Sequence, residues 1–431
     1  MNDKIMLKNQ LSIFVFFIAG LVLAIGHFHM AASVDAETAD RTAAVTSGSP
    51  ELSSWKLNQA GATGYNGIIA NIQQVRYSNN FVYVNSSSIP TYTIGPWNAN
   101  PNIPTNQSFL FKIPRFPAPQ TGTHTATALG TIAFWTDGVA IFNALDGFSY
   151  NNRNIWHQDA LVNEGISFDT CNGHPAPMGT YHLHINPKCL YNITPTQHSP
   201  IVGYAFDGYP IYGAYAYTNA DGTGAIKRMN SSYRLRSITN RTVLPDGTVL
   251  QPNQYGPSLA TKALGNYVED YEYVSGFGDL DQYNGRFAVT PEYPNGTYAY
   301  YVTIYTDGTS AYPYYIGPSY YGIVTTENIT SHSHVTITEP VTTYVPMAAS
   351  VTVSGRVVTS EGRGVRNAIL SIRDSQGVAR TAFTTPFGYY QFDNVLTGQS
   401  YTVSVAARRF SFAQRIVQVN AALSGVDFVP Q

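Results

Sequence analysis

The chain is organised around one stretch, which begins Cys171-Asn-Gly-His-Pro-Ala-Pro-Met-Gly-Thr-Tyr-His-Leu-His184 and later reads His198-Ser-Pro-Ile-Val-Gly-Tyr-Ala-Phe-Asp-Gly-Tyr-Pro-Ile-Tyr-Gly213. Both cysteines of the protein and four of its ten histidines lie inside this stretch. Turn-forming Gly, Pro and Asn separate short runs of aromatic and branched residues, which is typical of strands joined by tight turns. We therefore expect the chemistry of the protein to be concentrated here, on a β scaffold.

The composition as a whole favours a β-rich protein. Of the 431 residues 32 are Tyr, and Thr, Gly, Pro and Asn are also frequent, which favours strands and turns over helices. No long segment has apolar residues at sustained helical spacing. Charged residues make up only 12% of the chain and the formal net charge is −2, so the basic patch that nucleic-acid binding requires is not expected.

The N-terminus has the pattern of a secretory signal. An uncharged apolar run, 11–25, follows two lysines and precedes a cluster of small residues. We expect residues 1–33 to be a signal peptide, residues 34–50 to be a flexible leader, and the protein to be secreted or displayed at the cell surface. The alternative is an uncleaved N-terminal membrane anchor, for which the run is short. No other apolar stretch is long enough to cross a bilayer.

The two cysteines of an exported chain most simply form one disulfide. A Cys171–Cys189 bridge would clamp the loops on either side of the histidines. Closing a loop of this size stabilises a fold by about 3 kcal/mol in the chain-entropy model. The alternative of two free thiols is disfavoured in an oxidising compartment.

The histidine spacing predicts a metal site. On a strand, residues i and i+2 share a face, so His182 and His184 would point the same way. Neutral imidazoles suit copper or zinc, whereas a structural zinc site usually takes the thiolates that a disulfide would remove. The candidate metal ligands are His174, His182, His184, His198, Asp169 and Asp207.

An internal repeat supports a shared role for these histidines. Two segments have the same motifs in the same order, Asp-X-X-Asn-Gly followed by Gly-Thr-Tyr. The copies read Asp169-Thr-Cys-Asn-Gly-His174 with Gly179-Thr-Tyr-His-Leu-His184, and Asp281-Gln-Tyr-Asn-Gly-Arg286 with Gly296-Thr-Tyr-Ala-Tyr-Tyr301. The three histidines of the first copy, His174, His182 and His184, are replaced in the second copy by Arg, Ala and Tyr. Such a joint loss is expected for ligands of one site. We predict that a β unit is duplicated. We also expect the repeat to continue beyond these motifs, with residues 200–203 equivalent to residues 313–317.

The central motifs resemble the YHYH domain family. The resemblance is carried by Tyr181-His-Leu-His184 with the residues around it, by Asp207-Gly-Tyr-Pro-Ile-Tyr-Gly213, and by the later segment 278–298; it covers about residues 130–320. Leu183 departs from the motif, which usually has Tyr there, but on a strand it faces away from the histidines. The resemblance implies no particular reaction.

The C-terminal residues resemble a different family. Segments such as Val353-Ser-Gly-Arg-Val-Val358 and Tyr401-Thr-Val-Ser-Val-Ala406 alternate apolar and polar residues between turns, which predicts a small β-sandwich. Together with Thr385-Pro-Phe-Gly-Tyr-Tyr-Gln-Phe392, they resemble the carboxypeptidase regulatory-like (transthyretin-like) domain. That resemblance implies a stalk, spacer or interaction module without catalytic activity.

The predicted architecture is mainly β. We expect a YHYH-like β domain with an internal duplication over 51–323, a linker over 324–352 and an Ig-like or transthyretin-like sandwich over 353–431. His332 and His334 are also spaced i, i+2, but exposed linker histidines explain them better than a second metal site.

Three classes of function stay open at this point. The first is an exported surface protein with a divalent metal, copper or zinc, at the histidine cluster. The second is a module that binds surface glycans or envelope proteins, and the third is a structural envelope component. In the last two the histidines would only satisfy hydrogen bonds in a Tyr-rich core.

Catalytic patterns are weak in this sequence. Ser199 follows His198, but no Gly-X-Ser-X-Gly elbow is present. A glycosidase pair could be drawn from Glu164, Asp169 and Asp207, as it could from any acidic set. No reaction is assigned, and a role without catalysis is favoured.

Overall fold

The computed structural model describes most of the chain after its N-terminal segment. The described residues are 48–346, 350–374, 377–397, 399–419 and 422–431. The predicted signal peptide, 1–33, and residues 34–47 of the predicted leader lie outside them.

Short strands carry most of the regular structure, because runs of Val, Ile, Tyr and Phe alternate with turn-forming residues. In chain order, the strands before the C-terminal segment are β1 Ile72–Tyr77, β2 Phe81–Ser86, β3 Phe109–Pro114, β4 Thr131–Trp135, β5 Ala140–Phe142, β6 Leu145–Ser149, β7 His157–Asp159, β8 Gly173–Pro175, β9 Tyr181–Leu183, β10 Ile201–Ala205, β11 Pro210–Tyr212, β12 Tyr215–Tyr217, β13 Ile226–Arg228, β14 Tyr233–Leu235, β15 Tyr271–Tyr273, β16 Gly285–Ala288, β17 Thr297–Tyr301 and β18 Thr342–Thr343. The fold is mainly β, as predicted.

Helices in the described residues are short. The α-helices are α1 Pro50–Ser53, α2 Ala160–Glu164 and α3 Glu327–Thr330, and the remaining described helical segments are 3-10 turns of three residues each. Within the described ranges, no helix has the length and apolar character needed to cross a membrane.

The sheet that carries the repeat has the strand order β16-β17-β11-β10-β4-β5-β9-β8. Its middle is the antiparallel pair β4 and β10. Outward from β4, β4 and β5 are antiparallel, β5 and β9 are parallel, and β9 and β8 are antiparallel. Outward from β10, the order is the same: β10 and β11 are antiparallel, β11 and β17 are parallel, and β17 and β16 are antiparallel. The internal duplication predicted from the sequence is confirmed.

The repeat begins earlier than the sequence comparison placed it. β4–β5 and β10–β11 are equivalent hairpins that turn at Asp137-Gly138 and Asp207-Gly208. In both turns the aspartate accepts a hydrogen bond from the N–H two residues later, and the glycine has a positive φ, 82° or 87°. The predicted match of 200–203 with 313–317 is therefore wrong, because 201–203 opens β10 whereas 313–317 lies in a loop.

Buried tyrosines fill much of the core, and their hydroxyls find partners because an unpaired buried polar group is costly. Tyr300 donates to Asp207, and Tyr314 donates to Asp159. Tyr315 donates to the carbonyl oxygens of Phe142 and Leu183, at the ends of two neighbouring strands. The bonds of Tyr314 and Tyr315 tie the segment after β17 to the first copy of the repeat, whereas the Tyr300–Asp207 bond lies within the second copy.

A second sheet lies beside the repeat and involves the segment predicted as a linker. Its strand order is β18-β1-β2-β3. Thr342 and Thr343 of β18 pair with Tyr77 and Arg76 of β1. The buried Asn328 side chain exchanges hydrogen bonds with the backbone of residue 112 in β3. At these points the segment 324–346 packs against the β domain.

The C-terminal residues form an Ig-like sandwich, as predicted. Its strands are β19 Ser350–Arg356, β20 Ile369–Arg373, β21 Ala379–Phe383, β22 Tyr389–Leu396, β23 Gln399–Ala406 and β24 Arg415–Val419. β19 pairs with β22, and the other strands follow the order β21-β20-β23-β24. Alternating residues such as Val353, Leu370 and Val403 fill a hydrophobic core that is separate from the core of the repeat.

Candidate metal centre

The turn before β8 is held closed by Asp169. Its Oδ1 accepts the backbone N–H groups of Cys171 and Gly173, at 2.9 and 3.1 Å. Its Oδ2 accepts the N–H of Gly95 and the hydroxyl of Tyr181, at 2.8 and 3.0 Å. Because these four bonds occupy the acceptor capacity of a carboxylate, Asp169 positions the strand and does not face the histidines.

The second copy repeats this turn. Asp281 accepts the N–H groups of Tyr283 and Gly285 and the hydroxyl of Tyr298. A Cβ on Gly173 or on Gly285 would lie 2.3 Å from the hydroxyl oxygen of the tyrosine in its own copy. The Asp, Gly and Tyr shared by the two copies therefore build the scaffold of each hairpin.

The disulfide predicted between Cys171 and Cys189 is present, with the two Cα atoms 5.2 Å apart. Cys171 lies two residues before β8 begins, and Cys189 follows the last histidine of the cluster by five residues. The bridge therefore closes the segment that carries His174, His182 and His184.

Two of these histidines face each other across a strand pair. His174 of β8 is the direct partner of His182 in β9, and their Nε2 atoms are 3.0 Å apart. His184, two residues beyond His182, lies on the same face, with its Nε2 3.0 Å from that of His182. His182 and His184 thus share a face, as their i, i+2 spacing predicts, and strand pairing adds the ring of His174.

A carboxylate completes the group. Asp159 accepts the N–H of Val162 and so caps α2, whose last residue is Glu164. Glu164 Oε2 lies 3.1 Å from His174 Nε2 and 3.7 Å from His184 Nε2. Within the described residues, a group that could hold a metal ion consists of Glu164, His174, His182 and His184, with one ligand atom from each and all four atoms within 4.8 Å of one another.

Hydrogen bonds to the other ring nitrogens fix the histidine tautomers. Nδ1–H of His182 donates to the carbonyl oxygen of Thr180 at 3.1 Å, and Nδ1–H of His184 donates to that of Asn143 at 2.6 Å. A carbonyl oxygen can only accept, so the proton of each neutral ring is on Nδ1.

His174 has the same tautomer through a serine. Ser167 Oγ donates to the carbonyl oxygen of Glu164, and it therefore accepts the Nδ1–H of His174 at 2.7 Å. In neutral form, all three Nε2 atoms consequently present lone pairs to one another.

Burial keeps these rings neutral. It lowers the pKa of His174 to about 4 and the pKa of His184 to about 4, chiefly because the charged ring would lose its hydration. Burial, reinforced by the two neighbouring histidines, also holds the pKa of His182 well below its usual range. Near neutral pH the three rings are therefore available as uncharged ligands.

Two of the other predicted ligands lie elsewhere. His198 packs against the rings of Tyr212 and Tyr217, and its Nδ1 is 2.8 Å from the carbonyl oxygen of Ser199. Asp207 is buried in the β10–β11 turn, where it accepts the hydroxyl of Tyr300. The structure does not bring either residue to the group of three histidines and Glu164, and the same holds for Asp169.

Glu164 is the member that the histidine pattern did not identify. In the sequence it stands out only as one of several acidic residues. The sequence does offer a signal for the helix, because Asp159 is a good N-cap before a short helical run. That signal locates α2, but it does not indicate that Glu164 at the end of the helix approaches the histidines. His332 and His334 are exposed, and a ring nitrogen of His334 contacts the backbone oxygen of Gln107.

Comparison with known proteins bears out both family resemblances. Residues 110–315 match the YHYH protein family, and residues 352–429 match the carboxypeptidase regulatory-like domain. The chain therefore contains both regions, in the predicted order. No curated protein matches the chain.

Similarity to solved structures is slight. The Bacillus anthracis TIE protein matches over 19% of this chain and only 16% of its own, at 11% identity and a TM-score of 0.16. The C-terminal fragment of the pilus adhesin SpaC from Lactobacillus rhamnosus GG matches over 50% of this chain and 85% of its own, at 12% identity and a TM-score of 0.17. Neither similarity carries an argument about function.

Proposed function

We propose that this chain, with its YHYH region followed by a carboxypeptidase regulatory-like domain, is an exported surface or extracellular protein that binds one divalent metal ion. The proposed ligands are Glu164 and the Nε2 atoms of His174, His182 and His184.

The convergence of three unprotonated ring nitrogens carries this proposal. Lone pairs held about 3 Å apart repel one another, and burial prevents a proton from relieving the repulsion at low cost. A cation between them converts that repulsion into attraction. The Nδ1 hydrogen bonds, which fix the orientation of each ring, are those that metal-binding histidines usually make.

The ligand set favours copper or zinc. Neutral imidazoles suit both metals, and the carboxylate of Glu164 would supply an anionic oxygen. The cysteines are joined in a disulfide, so the thiolate ligands usual in structural zinc sites are not available from them.

Export is supported by two features. The disulfide is a bond that persists in oxidising compartments. The N-terminal residues 1–33 have the charge and apolar pattern of a secretory signal.

Metal content of the purified protein tests the proposal. Protein dialysed against copper or zinc, and then freed of excess metal, should retain one equivalent by mass spectrometry. The double variant H182A/H184A should retain none, because two of the four ligands are lost. The matched control H332A/H334A removes an exposed i, i+2 pair and should retain the full equivalent. Equal metal content in the two double variants would contradict the proposal.

A second candidate, glycan binding, is favoured by a groove in the sandwich. The groove has a volume of about 720 Å³, and the partly exposed rings of Phe383 and Tyr389 line it together with Arg356 and Asp427. Aromatic faces next to charged groups can stack on sugars and bind their hydroxyls. A glycan array with wild type and Y389A tests this candidate, because loss of a glycan signal in the variant would support it and absence of any signal would contradict it.

A further inference from the structure

The four proposed ligands are not sealed in the core. They line one wall of a cavity of about 620 Å³, a size within the range of about 300–1,000 Å³ usual for small-molecule sites. A metal ion held by these residues would therefore border a space large enough for a compact organic molecule.

Much of the remaining wall of this cavity is apolar. The ring of Phe142 stacks on His182, with the centroids 3.8 Å apart. Leu129 and Phe148 also line the cavity, although their side chains are 56% and 63% exposed. Single exposed apolar residues are common on protein surfaces. Here, however, two of them line the same cavity as Phe142 and the proposed metal ligands.

The charges around the cavity restrict the ligand further. The carboxyl groups of Asp146 and Glu164 are neighbours in the wall of this cavity. Among the described residues that line the cavity, none is Lys or Arg. A ligand with several negative charges would find no cation here except the metal, so an uncharged or singly charged head group fits best.

We propose that this cavity binds a small molecule whose oxygen head group ligates the metal and whose apolar body packs against Phe142, Leu129 and Phe148. The inference rests on the proposed metal site and adds a ligand class to it.

A series of hydroxamates tests the proposal on the metal-loaded full-length protein. Acetohydroxamate has a metal-binding head with almost no body, whereas butano- and hexanohydroxamate carry longer alkyl chains. Affinity measured by calorimetry should rise by up to about fourfold per added methylene, the fold-change that corresponds to about 0.8 kcal/mol for full burial. Metal content is measured after each titration, so that removal of the metal by the probe is not mistaken for binding.

Truncation of the wall should remove the chain-length preference without removing the metal. In F148A, hexanohydroxamate should bind about tenfold more weakly while acetohydroxamate stays within about twofold. F287A is the matched control, because Phe287 in β16 is 61% exposed and lies on the second copy of the repeat. It should behave as wild type.

The outcomes separate the two proposals. If wild type retains metal but binds all hydroxamates equally, or if F148A and F287A behave alike, the ligand proposal is overturned and the metal site stands. If wild type retains no metal, both proposals fail.

Discussion

His174 and His182 are direct partners across an antiparallel strand pair, and their Nε2 atoms lie 3.0 Å apart although both are hydrogen-bond acceptors in the neutral rings. Two acceptors at this distance are unfavourable unless a cation lies between them. The backbone pairing and the Nδ1 hydrogen bonds impose this arrangement together.

The first prediction concerns Ser167, which accepts the Nδ1–H of His174. S167A should lower metal affinity about 10-fold to 100-fold, as is typical when a hydrogen-bond partner of a ligand is removed. The measurement is competition with a chromogenic chelator. S199A provides the control, because Ser199 is also buried but bonds the backbone of Tyr215. Equal affinities in the two variants would show that Ser167 does not orient a metal ligand.

The second prediction concerns the Cys171–Cys189 bridge, whose cysteines are 18 residues apart in the chain. C171S/C189S should lower the free energy of unfolding by about 3 kcal/mol in the chain-entropy model. Metal affinity should fall as well, because the loop that carries the histidines loses its closure. Denaturant unfolding of the metal-free and metal-loaded forms measures both effects. Wild type with the bridge reduced should match the variant; a variant as stable as oxidised wild type would rule out a stabilising role.

The third prediction concerns Asp159. Burial raises the pKa of this carboxyl to about 7 from an ordinary value of 3.8, although the hydroxyl of Tyr314 donates to it. The folded protein thus binds the proton more tightly than the unfolded chain. The stabilisation from this group is full below about pH 4 and is lost as the pH rises through 7.

The variant D159N cannot ionise there, yet it retains an oxygen for Tyr314 and for the helix cap. Its stability relative to wild type should therefore increase from pH 4 to pH 8, on the order of 2 to 4 kcal/mol. Urea unfolding at pH 4, 6 and 8 measures the difference. D246N, at an exposed turn, should show no such increase, and a D159N difference that is independent of pH would exclude the proposed titration.

The fourth prediction concerns the domain boundary. The sandwich has its own hydrophobic core, which includes Val353, Leu370, Tyr390 and Phe428. Residues 350–431 expressed alone should therefore unfold cooperatively on heating, with circular dichroism typical of strands. A broad transition without cooperativity would show that the sandwich depends on the preceding residues.

Local patterns predicted much of the site. The spacing of His182 and His184 was enough to place them on one face, since side chains on a strand alternate. The repeat, in which the histidines are lost together, indicated a common role for them and for His174. The Asp-X-X-Asn-Gly motif was recognised as a shared feature of the two copies, and the structure shows that its aspartate closes a turn in each.

The remaining features of the site and fold could not be predicted, because they depend on contacts between residues that are distant in the sequence. His198 is close in sequence to the cluster, but β10 begins the second copy of the repeat and carries the chain away from it. Glu164, the last residue of α2, reaches the cluster through its approach to His174 and His184, which no local pattern specifies. The Asp-Gly hairpins at 137–138 and 207–208 were visible in the sequence, yet their equivalence depends on the pairing of β4 with β10.

Anomalous diffraction from crystals of the metal-loaded protein, recorded at the absorption edge of the added metal, tests the central claim most directly. The account predicts one strong peak about 2.0–2.2 Å from the Nε2 atoms of His174, His182 and His184, with a carboxylate oxygen of Glu164 as a further ligand. Absence of a peak among these side chains, or a peak at His198 in its place, would contradict it.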